Sequence, residues 1–321
     1  MLDLIPPSKQ DAVRRALAEG LGRTDVDSVE PLSGGLSGAG VWRLRVGGRS
    51  CILRIEGPPN GLNDPHRQYL CMAAAAEAGV APPVLFADPA SGVALIQDVP
   101  VQPMPGRAVV LGELSVLLRR LHATPLFPPL VDFPEGVDQL VGRLESLDIV
   151  DPAALASFRE RWSELRRTCR WGEDGLVSCH NDLNPRNILW DGQRLWLIDW
   201  EAAFRNDPYV DLGIAANYFT AGPADQDALI EGYFGAPADD DQRARLFLMQ
   251  QVCRVYYGAV LMASAAGGWA PSPEARRLEG PSLAEIGGAI AQGRVDLADP
   301  AARFDYGAAM LRQMLADRRS A

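Results

Sequence analysis

Polar and apolar positions follow two different periods in the two parts of this chain. Alternation with a period of two, typical of strands, is found at residues 25–32, 41–46, 49–55, 84–88 and 93–97. Apolar stripes with a helical period are found at residues 7–19, 64–78, 109–124, 137–147, 152–170, 225–234, 240–266, 282–292 and 302–319. The change of period predicts an N-terminal domain with a sheet, residues 1–98, and a mainly helical domain, residues 99–321.

Composition and charge exclude several classes of protein. With 47% hydrophobic and 22% charged residues, the chain has the composition of an ordinary globular protein. A net charge of −10 argues against a nucleic-acid-binding protein, which needs a basic face to meet phosphates. The apolar stretch 246–266 is interrupted by Gln250, Gln251 and Arg254, so we expect a buried core helix and no membrane span.

The cysteines and the N-terminus indicate a cytoplasmic protein. The chain has five scattered cysteines and no Cys-x-x-Cys pair, which favours reduced thiols over a disulfide framework or a zinc site. The first residues carry neither the basic nor the apolar region of a signal peptide. We therefore expect a cytoplasmic location.

One segment brings three oxygen-bearing side chains together. Residues 188–198 contain two short apolar runs around Asp191-Gly192, a pattern that predicts a hairpin. Its closure places Asn187 next to Asp199, with Asp182 five residues upstream of Asn187. Oxygen ligands of this kind suit a magnesium ion that carries nucleotide phosphates, and Asp182 can accept the proton of a substrate hydroxyl. The segment thus predicts phosphoryl transfer.

These motifs make the chain resemble the aminoglycoside phosphotransferase and choline kinase superfamily of small-molecule kinases. The resemblance rests on His180-Asn181-Asp182 with Asn187 five residues on, and on Ile198-Asp199-Trp200-Glu201. It implies an α+β, protein-kinase-like fold with two lobes, a small N-terminal antiparallel sheet lobe and a larger, mainly helical C-terminal lobe. It also implies ATP and Mg²⁺ as cofactors and a small molecule with a hydroxyl group as the acceptor.

The resemblance assigns roles to residues of the catalytic segment. It makes Asp182 the catalytic base and Asn187 and Asp199 the metal ligands. His180 is expected to organise the loop backbone, and Asp211, in Asp207-Pro208-Tyr209-Val210-Asp211, to brace it. His122 is expected to be a packed, hydrogen-bonded core residue and not a base.

The nucleotide-binding residues are expected in the N-terminal domain. The loop Ser33, Gly34, Gly35, Leu36, Ser37, Gly38 gives the backbone freedom to approach a triphosphate. The only lysine is Lys9, far from any candidate strand, so Arg54 is the candidate cation for the phosphates. Where the family usually has a glutamate to pair with this cation, the chain has Gln68. Whether Gln68, Asp64 or neither pairs with Arg54 stays open. Gln97 and Val99, at the connection between the lobes, are candidates for adenine.

The sequence leaves the identity of the acceptor open. Asn181 and the pair Trp200 and Glu201 resemble the choline and ethanolamine branch, so an amino alcohol is favoured, with Glu201 and Trp200 as substrate residues. Gly38 replaces the asparagine usual in the choline kinase loop, which puts choline itself in doubt. Aminoglycoside, sugar, thiamine and homoserine kinases stay open. A pseudokinase that binds nucleotide without turnover, or a structural protein, leaves Asp182, Asn187 and Asp199 without a chemical purpose.

Overall fold

The structure is a computed structural model that describes residues 2–32, 38–58, 61, 63–172, 175–267 and 269–317. The chain divides into two compact units. The first contains residues 1–130 and 174–238, and the second contains residues 131–173 and 239–321. The predicted division into residues 1–98 and 99–321 stays a prediction.

The first unit begins with a helix packed on an antiparallel sheet. The elements are α1 (Gln10–Leu21), β1 (Ser28–Pro31), β2 (Gly40–Val46), β3 (Arg49–Ile55), α2 (Pro65–Glu77), β4 (Val84–Asp88) and β5 (Val93–Gln97). The strands form one sheet in the order β1-β2-β3-β5-β4, and all paired strands are antiparallel. Val13 and Leu17 of α1 pack against Leu44, Leu53 and Leu95, so this helix covers one face of the sheet.

The alternation in β3 decides which side chains leave this core. Cys51, Leu53 and Ile55 are buried, because they point toward α1. Successive side chains of a strand point to opposite faces. Arg54 is therefore directed to the other face of the sheet, away from the apolar core.

The rest of the first unit holds the catalytic motifs on short strands between helices. Its elements are α3 (Arg107–His122), β6 (Val177–Cys179), β7 (Ile188–Trp190), β8 (Leu195–Leu197), β9 (Phe204–Asn206), α6 (Pro208–Phe219) and α7 (Pro223–Phe234). β6 pairs with β9, and β7 pairs with β8. The predicted hairpin is thus confirmed. Its turn is stabilised by Asp191, whose Oδ1 accepts hydrogen bonds from the amides of Gln193 and Arg194 at 2.7 and 2.8 Å.

The second unit is helical in its described residues. It contains α4 (Phe133–Leu147), α5 (Pro152–Thr168), α8 (Asp240–Ala265), α9 (Pro273–Arg276), α10 (Leu283–Ala291) and α11 (Pro300–Ala316). Helix α8 is the one described helix that is long and apolar enough to cross a membrane, and 61% of its most apolar window is buried inside the structure. It packs against α4, α5 and α11. This burial is that of the expected core helix.

The N-terminal helix ends later than predicted. The pattern places its end at Gly20, but α1 continues to Leu21 and Gly22 follows with a φ of 70°. The amide of Gly22 donates to Ala18 O at 2.9 Å. A left-handed residue just after the last helical turn is where glycine is favoured, because it has no Cβ. The second of two nearby glycines is therefore the helix stop.

We expect Gly307→Ala to destabilise the second unit, since α8 and α11 approach most closely there. A Cβ on Gly307 would lie 2.6 Å from Gly258 O and 2.7 Å from Met262 Cγ. Overpacking of this kind costs about 1–3 kcal/mol, which exceeds the gain of about 1 kcal/mol from the better helix propensity of alanine. The urea midpoint should fall.

The matched control is Gly287→Ala in α10, where an added Cβ meets nothing within 4 Å. This change should leave the urea midpoint unchanged or raise it. A midpoint for Gly307→Ala equal to that of the wild type would contradict the close approach of the two helices.

Candidate active site

The catalytic loop, residues 180–187, connects β6 to the hairpin of β7 and β8. A 3₁₀ turn at Pro185–Asn187 ends the loop, and a second one at Trp200–Ala202 follows the hairpin. The amide of Ile198 donates to Asn187 O at 3.0 Å, so the two strand ends are neighbours. Asn187 and Asp199 are therefore brought together at one end of the hairpin.

Asp211 holds the backbone of the catalytic loop. Its side chain is fully buried within α6, and it accepts hydrogen bonds from the amides of His180 at 2.9 Å and Asn181 at 2.8 Å. The N-terminus of α6 is capped by Asp207, which accepts from the Tyr209 amide at 2.9 Å. Asp211 is therefore free to brace the loop.

His122 completes the surroundings of Asp211. Its Nε2 lies 3.1 Å from Asp211 Oδ2, and its Nδ1 lies 2.7 Å from the Tyr233 hydroxyl. His122, Cys179 and Asp211 have ligand atoms within 4.8 Å of one another. These atoms are already used in hydrogen bonds to loop amides, Tyr233 and backbone carbonyls. His122 is a core residue, as the sequence indicated, and we assign no metal to this cluster.

His180 organises the loop through both nitrogens of its ring. Its Nδ1 accepts from the Asp182 amide at 3.3 Å, so Nε2 carries the hydrogen and donates to Ile198 O at 3.0 Å. This tautomer follows from the hydrogen-bond network. The ring is buried and lies 4.7 Å from Trp200 in an edge contact. Since both nitrogens are used, His180 is placed to orient the loop and not to exchange protons.

Asn181 ties the loop to the segment that follows Asp199. Its φ is 60°, in the left-handed region, and its side chain is buried. Nδ2 donates to Ala202 O and Phe204 O, both at 3.1 Å, and Oδ1 accepts from Asn206 at 2.8 Å. An amide at this position can both donate and accept, which a glycine cannot. This contact gives a structural reason for the asparagine that the sequence analysis used only as a mark of resemblance.

Asp182 is held by two asparagines. Asn187 Nδ2 donates to Asp182 Oδ2 at 2.7 Å, and Asn184 Nδ2 lies 3.2 Å from each carboxylate oxygen. Burial raises the pKa of Asp182, and the nearby charge of Asp199 raises it further, while the two amide donors oppose the shift. Asn184 lies within the motif, but it is not among the residues predicted for the site.

Asp199 adopts a left-handed conformation with a φ of 66°. A residue other than glycine with such a φ is often found at a functional site, where the surrounding structure imposes the conformation. Its Oδ1 is buried and has no hydrogen-bond partner among the described residues. Arg54 Nη1 lies 3.2 Å from this oxygen, which is ion-pair distance without hydrogen-bond alignment. Asp199 therefore keeps an oxygen available for a ligand.

Arg54 lies among three carboxylates. Its Nε donates to Glu56 Oε1 at 2.5 Å, and its Nη2 lies 3.8 Å from Glu201 Oε2, besides the contact with Asp199. Burial disfavours the charge of Arg54, but the carboxylates outweigh burial and raise its pKa. Glu56 is not among the residues predicted for the site. The strand period was the available signal, because residues two apart on an extended strand share a face.

Gln68 is not brought to Arg54, contrary to the interpretation that it supports the strand cation. Its Nε2 donates to Asn63 Oδ1 at 2.8 Å, so the amide is used within its own part of the chain. The neighbouring Arg67 instead joins α2 to the segment after Asp199. It donates to Glu201 O at 2.7 Å and to Ala203 O. The helix is thus linked to the site by an arginine and two backbone carbonyls.

Three of the other residues predicted to bind the nucleotide, Gly38, Gln97 and Val99, are among the described residues. Residues 33–37, the larger part of the predicted phosphate loop, lie outside the described residues. Gly38 enters β2, and an added Cβ there would meet nothing within 4 Å. Gln97 is exposed at the end of β5 and its amide donates to Pro83 O at 2.9 Å, while Val99 is buried. Their contacts with a nucleotide stay predictions.

The two predicted substrate residues differ in accessibility. The Glu201 side chain is 26% exposed, and burial together with the charge of Asp199 raises its pKa. Trp200 is 4% exposed and packs on His180 and Phe127. A contact between Trp200 and an acceptor stays a prediction, and the burial of the ring argues against it.

The family follows from a comparison of the sequence with known families. The model of the phosphotransferase enzyme family, APH, matches residues 28–247, more than half of the chain. The chain belongs to the phosphotransferase enzyme family. The predicted resemblance is confirmed, and with it the expectation of an enzyme that is a phosphotransferase.

Individual relatives of this phosphotransferase match it over different lengths. Protein LicA from Haemophilus influenzae is 40% identical over 58 residues, which is 18% of this chain and 22% of LicA. The match therefore spans about a fifth of the curated relative.

Solved structures cover much more of the phosphotransferase. A choline/ethanolamine kinase family protein from Mesorhizobium loti is 25% identical with a TM-score of 0.64, over 94% of this chain and 99% of that one. A macrolide 2'-phosphotransferase from Brachybacterium faecium is 18% identical with a TM-score of 0.59, over 82% and 99%. These similarities confirm the predicted α+β, protein-kinase-like fold.

We expect Asn184→Asp to move the acid limb of the phosphotransferase pH profile to higher pH. The change keeps an oxygen that can accept from the Arg186 amide, as Asn184 Oδ1 does at 2.9 Å, but it removes the donors to Asp182. Those donors stabilise the ionised base, so their loss raises the pKa of Asp182, and repulsion from the new carboxylate raises it further. A hydrogen bond to a charged group contributes about 1.5–3 kcal/mol, so activity on the acid side should fall at least about tenfold.

Asn184→Ala loses both the donor to Asp182 and the acceptor for the Arg186 amide, whereas Asn184→Asp loses only the donor. Comparison of the two variants therefore separates the two functions. A shift in both variants, smaller in Asn184→Ala because alanine adds no like charge, supports the donor role. An unshifted profile for Asn184→Asp, with a defect only in Asn184→Ala, would contradict it and leave the cap as the function of Asn184.

Proposed function

We propose that this chain is a kinase that moves the γ-phosphate of ATP, bound with Mg²⁺, to a hydroxyl group of a small molecule, with an amino alcohol as the favoured acceptor. The observation that carries the proposal is the meeting of Asp182, Asn187, Asp199 and Arg54 at one place in the first unit. Each supplies a different requirement of phosphoryl transfer. Membership of the phosphotransferase family supports the same reaction.

The donor atoms fit a magnesium ion. Asp199 has a buried oxygen without a hydrogen-bond partner among the described atoms, and carboxylate oxygen is a hard ligand of the type that Mg²⁺ prefers. Asn187 donates through Nδ2 to Asp182, which leaves its carbonyl oxygen as the ligand atom. Asn187 and Asp199 would therefore hold the ion. When bound, the ion neutralises phosphate charge during the transfer.

Asp182 is suited to act as the base. A carboxylate whose pKa is raised by burial accepts a proton more readily than an exposed one does, and the amide donors of Asn184 and Asn187 act in the opposite direction by stabilising its ionised form. Asn184 and Asn187 fix the direction of the carboxylate, so its oxygens are oriented before the acceptor arrives. Asp182 would take the proton of the acceptor hydroxyl as the new bond to phosphorus forms.

Arg54 supplies the positive charge for the nucleotide phosphates. Its guanidinium is buried but faces the same cluster as Asp199, and a planar guanidinium binds phosphate oxygens through two donors. The donor atom Nη2 has no hydrogen-bond partner among the described residues. Arg54 therefore retains a donor for a phosphate.

The excess of negative charge favours a cationic acceptor. Asp182, Asp199 and Glu201 influence one another electrostatically, and Arg54 is the guanidinium paired with two of them. Glu201 is the partly exposed member, and a carboxylate at this position suits an ammonium group. The structural similarity to a choline/ethanolamine kinase family protein also favours an amino alcohol. The similarity to a macrolide phosphotransferase is the reason to include bulkier acceptors in the test.

We expect Asp182→Asn to abolish turnover while binding of the nucleotide persists. The amide is isosteric but cannot take the proton, and general-base catalysis contributes about 10²–10⁴-fold. The measurement is ADP release with Mg²⁺ and ATP, and GTP in parallel, across choline, ethanolamine, thiamine, homoserine, hexosamines, aminoglycosides and macrolides.

Acceptor-dependent turnover that disappears in the variant supports the kinase and names the acceptor class. A wild-type protein that binds the nucleotide but is silent across the panel would favour a binding module without turnover. Turnover that Asp182→Asn leaves intact would contradict the role of Asp182.

We expect Glu201→Gln to weaken selectively the binding of a cationic acceptor. Loss of one charge near an ammonium group should raise its KM about tenfold. The KM of ATP should stay within about twofold, because the contact of Glu201 with Arg54 is long. The control is a neutral acceptor from the same panel, whose KM should not change. A larger effect on ATP than on the acceptor would contradict a substrate role for Glu201.

A further inference from the structure

The carboxylates around Arg54 differ in what else they can do. The side chains of Asp199 and Glu201 are 28% and 26% exposed, and the proposed function gives them a metal ion and an acceptor. The Glu56 side chain is 1% exposed, and among the described residues Arg54 is its one ion-pair partner. Glu56 is therefore the carboxylate of the three that is paired with Arg54 alone.

The local backbone holds Glu56 in this position. It follows β3 directly, two residues after Arg54, so both side chains lie on the face of the sheet opposite to α1. The amide of Glu56 donates to Gly92 O at 2.8 Å. A side chain on Gly92 would begin 3.3 Å from Glu56 Cβ, so the glycine leaves room for it. The ion pair is thus built into the end of one strand.

Helix α2 offers no buried carboxylate to replace Glu56, since Glu77, its last residue, is exposed. The amide of Gln68 is bonded to Asn63, and Asp64 accepts from the His66 amide at 3.0 Å as the helix cap. Tyr69 lies near the pair, and its buried hydroxyl has no partner among the described residues. A tyrosine hydroxyl is neutral, so it offers no counter-charge to Arg54.

A buried guanidinium needs a permanent anion. An unpaired buried charge is strongly destabilising, and a flexible arginine without a partner can adopt several rotamers. We propose that Glu56 is the positioning residue that holds the Arg54 guanidinium toward the nucleotide phosphates, a role for which the sequence left Gln68, Asp64 or neither open. This inference rests on the proposed function, because it requires a nucleotide.

The test measures binding of ADP with Mg²⁺ and of adenosine to the full chain by titration calorimetry, without any acceptor. In Glu56→Gln, which keeps the shape and removes the charge, binding of ADP should weaken about tenfold, the effect of losing one charge-assisted hydrogen bond. Binding of adenosine should be unchanged, because it has no phosphate for Arg54. General damage to the domain would weaken both ligands alike.

Two further variants complete the comparison. Glu56→Asp keeps the charge at a shorter reach and should bind ADP with intermediate affinity. Gln68→Ala, at the position that the sequence indicated, should bind ADP within about twofold of the wild type.

The outcomes separate the two proposals. A wild-type protein that binds neither ADP nor ATP overturns the proposed function and this inference with it. If the wild-type protein binds ADP, two results overturn only the role of Glu56. Either Glu56→Gln binds ADP as tightly as the wild type does, or the change weakens the binding of adenosine as much as that of ADP.

Discussion

The candidate active site depends on one buried carboxylate that must be satisfied by its surroundings. Asp211 is fully buried, and an uncompensated charge there would cost several kcal/mol. Its partners are the amides of His180 and Asn181 and the ring of His122. These partners lie on the loop and on α3. The hydrogen bonds that compensate the charge of Asp211 therefore also fix the direction of Asp182, which follows Asn181 in the loop. The stability of the fold and the geometry of the base are therefore linked.

The segment after the hairpin is held to the same loop by a second set of contacts. Asn181 bonds to Ala202 and Phe204, and Arg67 of α2 bonds to the backbone between them. These contacts fix the segment after Asp199, and the bonds of Ile198 to His180 and Asn187 fix the residue before it, which explains how Asp199 can be held in a left-handed conformation. The carboxylates of Asp182 and Asp199 are thus placed in part by the backbone hydrogen bonds of their neighbours.

The distribution of charge sets what the site can bind. Carboxylates outnumber the guanidinium of Arg54 around Asp199, and burial raises the pKa of both Asp182 and Glu201. Such a cluster attracts cations, and it must still accept the phosphates of a nucleotide. A fixed partner for Arg54, which we assign to Glu56, reconciles the two demands, since the arginine then keeps its direction when Asp199 engages another cation.

The sequence by itself determined the elements that short spacing encodes. Strand and helix periods placed most elements within a few residues, although β6, β9 and α9 were not predicted. The Asp191-Gly192 turn brought Asn187 to Asp199, because both the periods and the turn depend on local backbone geometry. Only the tertiary structure decided the contacts between distant residues. It paired Arg54 with Glu56 and not with Gln68, and it buried Trp200. Those outcomes depend on how side chains from separate elements pack and share hydrogen bonds, which periodicity and motif spacing do not describe.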